Sequence, residues 1–224
     1  MGKKQKAILF MILSAFSFAL MSALVKLAGD LPSYEKVFFR STISMLVIFI
    51  IIKRKKTVSL FGKREHQKHL IFRSLLGTTA MLMFFYGIPY VYLADSAMIG
   101  KLNPFFVTLF AYLFLKEKLS KIQIPALIII FLAALLIIKP TFDIKIIPYL
   151  ALLGGAVFSA GGHTMLRALR KKEAPLTIVF YFSMVTSIIL IIPTTINFVM
   201  PVGIQWLYLI GIGIMAVIGQ LSLT

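Results

Sequence analysis

Three residues inside one apolar stretch, Lys101, Asn103 and Pro104, carry groups suited to binding a polar molecule. Lys101 lies roughly 10 Å inside a predicted helix, and an ionisable group at that depth in a bilayer costs about 2.5–3.5 kcal/mol unless it faces a cavity or a partner. Pro104 frees the backbone carbonyl of Gly100 and predicts a kink. The three residues therefore predict a substrate-binding site. The alternatives are that Lys101 snorkels along the helix or pairs with Asp95.

A later apolar stretch places His163 and Ser159 on one helix face, in a stripe of i+4 positions. Its members are Ala151, Gly155, Ser159, His163 and Arg167, and an earlier stretch has a matching stripe of Ser14, Phe18, Ser22 and Lys26. We expect the two stripes to face each other or a shared cavity, which makes Phe18, Ser22, Ser159 and His163 candidate binding residues. The alternative for His163 is an interhelical hydrogen bond. Arg167 and Lys26 lie close to helix ends and are expected to snorkel to headgroups.

Arg40 and Tyr86 complete the candidate site. Arg40 lies roughly 9 Å inside its segment and could hold an anionic substrate group or an outer gate, although pairing with Glu35 is an equally good explanation. Tyr86 lies one turn inside a set of aromatic residues that an interfacial belt explains, namely Tyr90, Tyr92 and Trp206. Tyr86 is therefore also a candidate cavity-lining residue.

The acidic residues restrict the chemistry. All seven lie in loops or near predicted helix ends, so a carboxylate proton relay at mid-membrane depth is not supported, and His163 is the only predicted buried group that titrates near neutral pH. The sequence has no cysteine, no paired aspartates and no HExxH spacing. We therefore predict no catalytic residues, no metal site and no cofactor. Facilitated diffusion, exchange and His-linked coupling remain as modes of transport.

The elements that must position these residues are apolar helices. Hydrophobic residues make up 60% of the 224 residues and the mean hydropathy is +0.97, which excludes an ordinary soluble protein. Eight runs are long enough to span a bilayer: residues 7–28, 34–52, 70–89, 94–115, 122–138, 147–166, 175–196 and 205–224. The fold class predicted is an all-α, polytopic transmembrane helix bundle.

The basic residues indicate the orientation of that bundle. The net charge is +17, and 16 of the 24 Lys and Arg residues fall before the first segment or in the loops after the second, fourth and sixth. Alternating segments place all of these on one side, which by the positive-inside rule is cytoplasmic. We expect a multi-pass protein of the inner (plasma) membrane with a cytoplasmic amino terminus. Its partners are the lipid bilayer and a small-molecule substrate, not nucleic acid, since the aromatic residues lie inside the apolar runs.

An internal repeat relates the two parts of the chain. A shift of 141 residues lays Ala19 on Ala160, Ser22 on His163, Lys26 on Arg167 and Val37-Phe38-Phe39-Arg40 on Ile178-Val179-Phe180-Tyr181, and a shift of 136 lays Gly77 on Gly213. The second copy starts five segments after the first. Because five is odd, the second copy enters the membrane from the opposite side. The sequence therefore predicts an inverted-topology repeat, unless the match is only the chance likeness of apolar helices.

The second copy of this repeat is incomplete. We predict a first five-helix repeat over residues 1–140 and a three-helix part of a second over 141–224, with two helices missing. The expectation is that the chain is truncated or that a partner supplies the missing surface, a homodimer being one such arrangement. A non-transporting membrane protein that assembles with a partner is accordingly the second functional hypothesis.

Several motifs resemble the EamA-type branch of the drug/metabolite transporter superfamily, whose members are ten-helix carriers. The most specific stretch begins at Pro104-Phe-Phe-Val-Thr-Leu-Phe, passes Glu117 and ends at Ile137-Ile138-Lys139-Pro140. Val37-Phe38-Phe39-Arg40 resembles the start of the family's second helix, and Ala94-Asp95-Ser96-Ala97 the start of its fourth. The resemblance implies a carrier that moves a small polar metabolite, an amino acid or a drug by alternating access.

Overall fold

The structure is a computed structural model that describes residues 3–55, 58–116, 123–138, 146–169 and 172–222. These residues form α-helices joined by turns. In chain order the helices are α1 (Lys3–Leu27), α2 (Ser33–Lys55), α3 (Gln67–Gly87), α4 (Leu93–Gly100), α5 (Asn103–Leu115), α6 (Gln123–Ile138), α7 (Ile147–Leu169), α8 (Pro175–Ile196) and α9 (Gln205–Ser222). Short 3₁₀ turns at Arg64–His66 and Ile88–Tyr90 precede and follow α3.

The all-α transmembrane bundle predicted from the sequence is confirmed. With α4 and α5 counted as one interrupted pass, the described helices make eight passes, and six helical segments are individually long and apolar enough to cross a membrane. α2 is not among the six, and it carries Glu35, Lys36 and Arg40 in its first turns. The loop at Glu117 and the Lys139–Pro140 end of the family motif lie outside the described residues.

Hydrogen bonds between loops define the two ends of the bundle. At one end, the Glu173 carboxylate accepts hydrogen bonds from the backbone N–H of Lys63 and from His66, which joins the α2–α3 loop to the α7–α8 loop. At the other end, Glu35 accepts from the N–H of Val199, and Gln205 donates to the carbonyl of Ala28. These contacts place the α2–α3 and α7–α8 loops at one end of the bundle and the α1–α2 and α8–α9 loops at the other.

The first three helices pack against the last three in pairs. The set of pairs stays the same when the two groups of three helices are exchanged. α1 packs on α9 and α3 packs on α7, while α2 packs on α8. Exchanging α1 with α7, α2 with α8 and α3 with α9 turns the first pair into the second and leaves the third unchanged. This is the contact pattern of two copies related by a two-fold axis.

Two glycines illustrate the same exchange at the level of single side chains. A Cβ on Gly77 of α3 would lie 2.8 Å from the Phe182 ring of α8, and a Cβ on Gly213 of α9 would lie 2.6 Å from the Ile43 side chain of α2. Glycine is therefore required at both positions for a large neighbouring side chain to pack against the helix. The sequence comparison had already placed these two glycines at equivalent positions.

The outer surface of the bundle is apolar. On α1, for example, Met11, Ile12 and Phe16 are each more than 60% exposed. Side chains of this type on the outside of a helix bundle face lipid tails, which are as apolar as leucine. Several polar side chains are instead buried in the interior, and a few of them line a cavity.

Candidate functional site

A cavity of about 860 Å³ lies inside the bundle between the first and last groups of helices. Residues of α1, α2, α3, α4, α7, α8 and α9 line it. Its volume lies within the range of roughly 300–1,000 Å³ that is usual for small-molecule sites. The lining is largely apolar and aromatic, and only a few polar groups project into it.

The cavity brings together five of the residues that the sequence singled out. Phe18 and Ser22 of α1, Arg40 of α2, and Ser159 and His163 of α7 all line it. Members of both stripes of i+4 positions therefore line one shared space, on α1 and on α7. Their role in binding stays a prediction.

The small polar groups on these walls are hydrogen-bonded within their own helices. Ser22 donates to the carbonyl of Phe18 at 3.0 Å. His163 Nδ1 lies 2.9 Å from the carbonyl oxygen of Ser159 and 3.3 Å from its hydroxyl. A ring nitrogen that donates to this carbonyl fixes the tautomer. The His163 side chain is exposed, so the expectation that it is a buried titrating group is wrong.

The other four predicted residues do not line the cavity. The helix is interrupted at Lys101 as expected, since α4 ends at Gly100 and α5 begins at Asn103. Only Gly100 of this junction reaches the cavity. Lys101 and Pro104 are exposed, and Asn103 donates a long hydrogen bond of 3.4 Å to the carbonyl of Ala156.

Tyr86 also lies away from the cavity. It is 43% exposed, and its ring centroid lies 5.7 Å from that of Tyr90. This placement agrees with the interfacial aromatic belt. Asp95, the proposed alternative partner of Lys101, accepts a hydrogen bond from the hydroxyl of Tyr149 at 3.0 Å.

The structure adds Arg73 of α3, which the sequence reasoning missed. The predicted third segment began at residue 70, which puts Arg73 in the first turn, where a basic residue at the membrane boundary is ordinary. In the structure α3 begins at Gln67 and is preceded by the 3₁₀ turn, so Arg73 is roughly 9 Å inside. A prediction that α3 begins at Gln67 would have placed Arg73 inside the helix and singled it out.

Arg40 and Arg73 converge on the ring of Phe182. The guanidinium carbon of Arg73 lies 4.4 Å from the ring centroid and that of Arg40 lies 5.7 Å from it. α2 and α3 begin at opposite ends of the bundle, so the two cations approach the ring from opposite membrane sides. All three residues line the cavity.

The two guanidinium groups lack hydrogen-bonding partners in the described part of the chain. Nε of Arg40 and both Nε and Nη1 of Arg73 are buried and make no hydrogen bond there. The predicted alternative, an Arg40–Glu35 ion pair, is not formed, and the one ion pair between described residues joins His66 to Glu173. The cavity thus holds two cations and, among its lining residues, no carboxylate.

The position of Phe182 is fixed by its neighbours. Thr186 donates its hydroxyl hydrogen to the carbonyl of Phe182 at 2.8 Å, so in the 2.7 Å contact between Thr78 and Thr186 the hydroxyl of Thr78 is the donor. Gly77, one turn from Arg73, leaves room for the ring. A chain of hydrogen bonds therefore joins α3 to α8 at the backbone of Phe182, whose ring both arginines contact.

Comparisons with known proteins agree with this architecture. The model of the EamA-like transporter family matches residues 5–139. The pseudopaline exporter CntI of Pseudomonas aeruginosa is 35% identical over 98% of this chain and 78% of its own length. Human solute carrier family 35 member G1 is 29% identical over 96% of this chain and 63% of its own length. A solved crystal structure with 18% sequence identity superimposes with a TM-score of 0.70, covering 97% of this chain and 77% of that one.

A helical bundle with an internal cavity and transporter relatives defines a multi-pass membrane transporter of small molecules, not an enzyme. The chain belongs to the EamA-like transporter family. The resemblance drawn from its motifs is thereby confirmed.

Proposed function

We propose that the chain moves a small polar metabolite, an amino acid or a drug across the membrane by alternating access, with the central cavity as the substrate site. The observation that carries the proposal is the cavity of about 860 Å³ that lies between helices of the first and last groups. A space of this size between two groups of helices suits a carrier, because binding sites of such proteins lie at the interface of their repeats.

The exchange pattern of helix packing supports the alternating mechanism. If residues 1–140 and 141–224 belong to two copies of one inverted repeat, the contacts of α1 with α9 can take the arrangement now held by α3 with α7, and the reverse. Such an exchange closes one end of the cavity while it opens the other. The relative named as an exporter supports outward movement of the substrate.

The charge distribution supports an inner-membrane protein with a cytoplasmic amino terminus. The absence of cysteine from the sequence makes this directly testable. Glu65→Cys and Val202→Cys place single thiols in exposed loops at opposite ends of the bundle. In intact cells an impermeant maleimide should label Val202→Cys alone, and labelling of Glu65→Cys alone would reverse the orientation.

Transport itself is tested with purified protein in proteoliposomes and a panel of labelled metabolites, amino acids and drugs. Uptake that saturates and that is accelerated by unlabelled substrate on the other side is expected for a carrier. Uptake that rises linearly with concentration would contradict alternating access. In the same assay Lys101→Ala tests the sequence-based assignment, since unchanged apparent affinity removes Lys101 from the site.

A further inference from the structure

We propose that Arg40 and Arg73, which both contact the Phe182 ring, form a binding site for an oxyanionic group, a carboxylate or a phosphate, of the transported molecule. The proposal rests on the proposed function, because it takes the central cavity as the substrate site. It narrows the substrate from a small polar molecule to a small organic anion.

The two buried guanidinium groups have neither a counter-ion nor hydrogen-bond acceptors among the described residues. An ion transferred from water into a low-dielectric interior carries a penalty of several kcal/mol unless a counter-charge and hydrogen bonds compensate for it. Arg40 is 6% exposed, and no described carboxylate lies within ion-pair distance of either arginine. The Phe182 ring compensates only in part, since a cation–π contact leaves the N–H donors of the guanidinium without acceptors. A bound oxyanion would supply both the charge and the acceptors.

No carboxylate lines the cavity beside the two arginines. Glu35, which precedes Arg40 on α2, accepts a hydrogen bond from the backbone of Val199 through Oε2 at the end of the bundle, and its Oε1 has no partner among the described residues. Asp95 accepts from Tyr149. Since the cavity lining contains no Asp or Glu, its electrostatic potential is set by the two arginines, and apolar walls strengthen the field they produce.

The two guanidinium groups approach each other at the Phe182 ring. Guanidinium groups bind carboxylates and phosphates through paired N–H donors, and a pair of arginines converging from two helices can hold one oxyanion between them. Arg40 comes from the first repeat's second helix and Arg73 from its third, and Phe182 comes from α8. An anion held by both guanidinium groups would therefore join α2 to α3 beside α8.

Binding is measured as the ligand-induced rise in unfolding temperature of the purified chain in a neutral detergent. The probes are succinate, benzoate, glutamate and inorganic phosphate, and succinamide, benzamide and glutamine are the counterparts that lack one or both carboxylates. We expect at least one anion to stabilise the chain more than its counterpart does. Equal responses to both members of every pair, together with no response to phosphate, would overturn the proposal.

Arg40→Met and Arg73→Met should each weaken apparent affinity for that anion by about 10- to 100-fold. The matched control is Lys53→Met. Nζ of Lys53 also lies over an aromatic ring, 5.5 Å from that of Phe49, but outside the cavity. The Lys53→Met variant should bind the anion with the affinity of the parent. Parental affinity in both arginine variants would count against the site.

The same variants separate binding from a structural role. Removing a buried charge that has no counter-ion should leave the unfolding temperature of the empty protein unchanged or raise it by about 2–4 °C. Arginines that only stabilise the bundle would give a lower unfolding temperature and an undiminished response to the anion. Should a methionine variant fail to fold, Arg40→Lys and Arg73→Lys keep the charge and lose the paired donors. Parental affinity in both lysine variants would then overturn the proposal.

Two further measurements distinguish a lipid from a small anion as the ligand, and failure of the anion site from failure of the carrier proposal. Stabilisation by phosphatidylglycerol that depends on Arg73, with no response to any small anion, would assign the site to a lipid and overturn a substrate site. Anion binding without uptake in proteoliposomes would contradict the carrier and leave the anion site standing. Uptake of the uncharged counterparts alone would contradict the anion site and leave the carrier standing.

Discussion

Two clusters of charged residues lie at different depths in this protein, and they differ in how well they are satisfied. At the end of the bundle formed by the α2–α3 and α7–α8 loops, the Glu173 carboxylate accepts hydrogen bonds from the N–H of Lys63 at 2.9 Å and from His66 at 2.6 Å. In the cavity, Arg40 and Arg73 have buried N–H groups without partners in the part of the chain that the structure describes. The first cluster is complete without a ligand and the second is not.

The difference also concerns how each cluster responds to protons. Burial raises the pKa of Glu173, but the hydrogen bonds from His66 and Lys63 and the nearby positive charge lower it by more, so the net pKa lies below its ordinary value. Arginine stays protonated at any physiological pH. Satisfied charges of this kind stabilise a fold, whereas unsatisfied buried charges are characteristic of functional sites. Removing the charge should therefore lower stability at Glu173 but not at Arg40 or Arg73.

The largest effect is expected from Phe182→Ala, which removes the ring shared by both arginines. Loss of a buried aromatic side chain costs about 3–5 kcal/mol of stability, and the two cations lose their only described contact with an electron-rich group. Phe49→Ala is the matched control because Phe49 also contacts a cation but is 38% exposed. Thermal unfolding should show a much smaller loss in the control, and equal losses would contradict the central role of Phe182.

Gly77→Ala should have an intermediate effect that tests the packing around the same ring. The new Cβ would lie 2.8 Å from Phe182, and displacing the ring costs about 1–3 kcal/mol. Gly213→Ala introduces a similar clash, with Ile43, at the equivalent position away from the cavity. Both variants should lower the unfolding temperature, while only Gly77→Ala should weaken anion binding. Weaker binding in both would mean that the effect is general loosening of the bundle.

The smallest effect is expected from Glu173→Gln, at about 1 kcal/mol, because the carboxylate is held by two hydrogen bonds near the surface of the bundle. Since the folded pKa of Glu173 is lowered, its contribution is present above the ordinary value of 4.5 and is lost as pH falls through the folded pKa. Unfolding temperature measured against pH should therefore drop less steeply in acid for Glu173→Gln than for the parent. A parallel pair of curves would show that this carboxylate does not link the loops.

Much of the fold could be predicted from the sequence because lipid imposes strong constraints on it. Apolar runs long enough to span a bilayer identify the helices and their order, whereas the repeat and the orientation from the basic loops stay predictions. The interruption after Gly100 followed from Pro104, which cannot donate to the helix ladder. The stripes on α1 and α7 identified two walls of the cavity, because helical periodicity determines which residues share a face.

The rest of the site depended on quantities that local sequence does not determine. Lys101 was assigned to a binding site from its depth, but the rotation of α4 and α5 about their axes places it on the exposed surface. Arg73 was missed because its depth depends on three additional helical residues at the start of α3. The meeting of Arg40, Arg73 and Phe182 results from tertiary packing of three helices, and no spacing along the chain encodes it.

Substrate bound at the proposed arginine site would link substrate supply to the amount of folded protein. A ligand that binds only the folded state stabilises it by RT ln(1 + [L]/Kd), about 2.7 kcal/mol at a hundred times Kd. A change of 1–2 kcal/mol is enough to alter the cellular abundance of a protein several-fold through degradation of its unfolded form. With an anion between Arg40 and Arg73, cells that accumulate the substrate would retain more of the transporter, without any change in the rate of its synthesis.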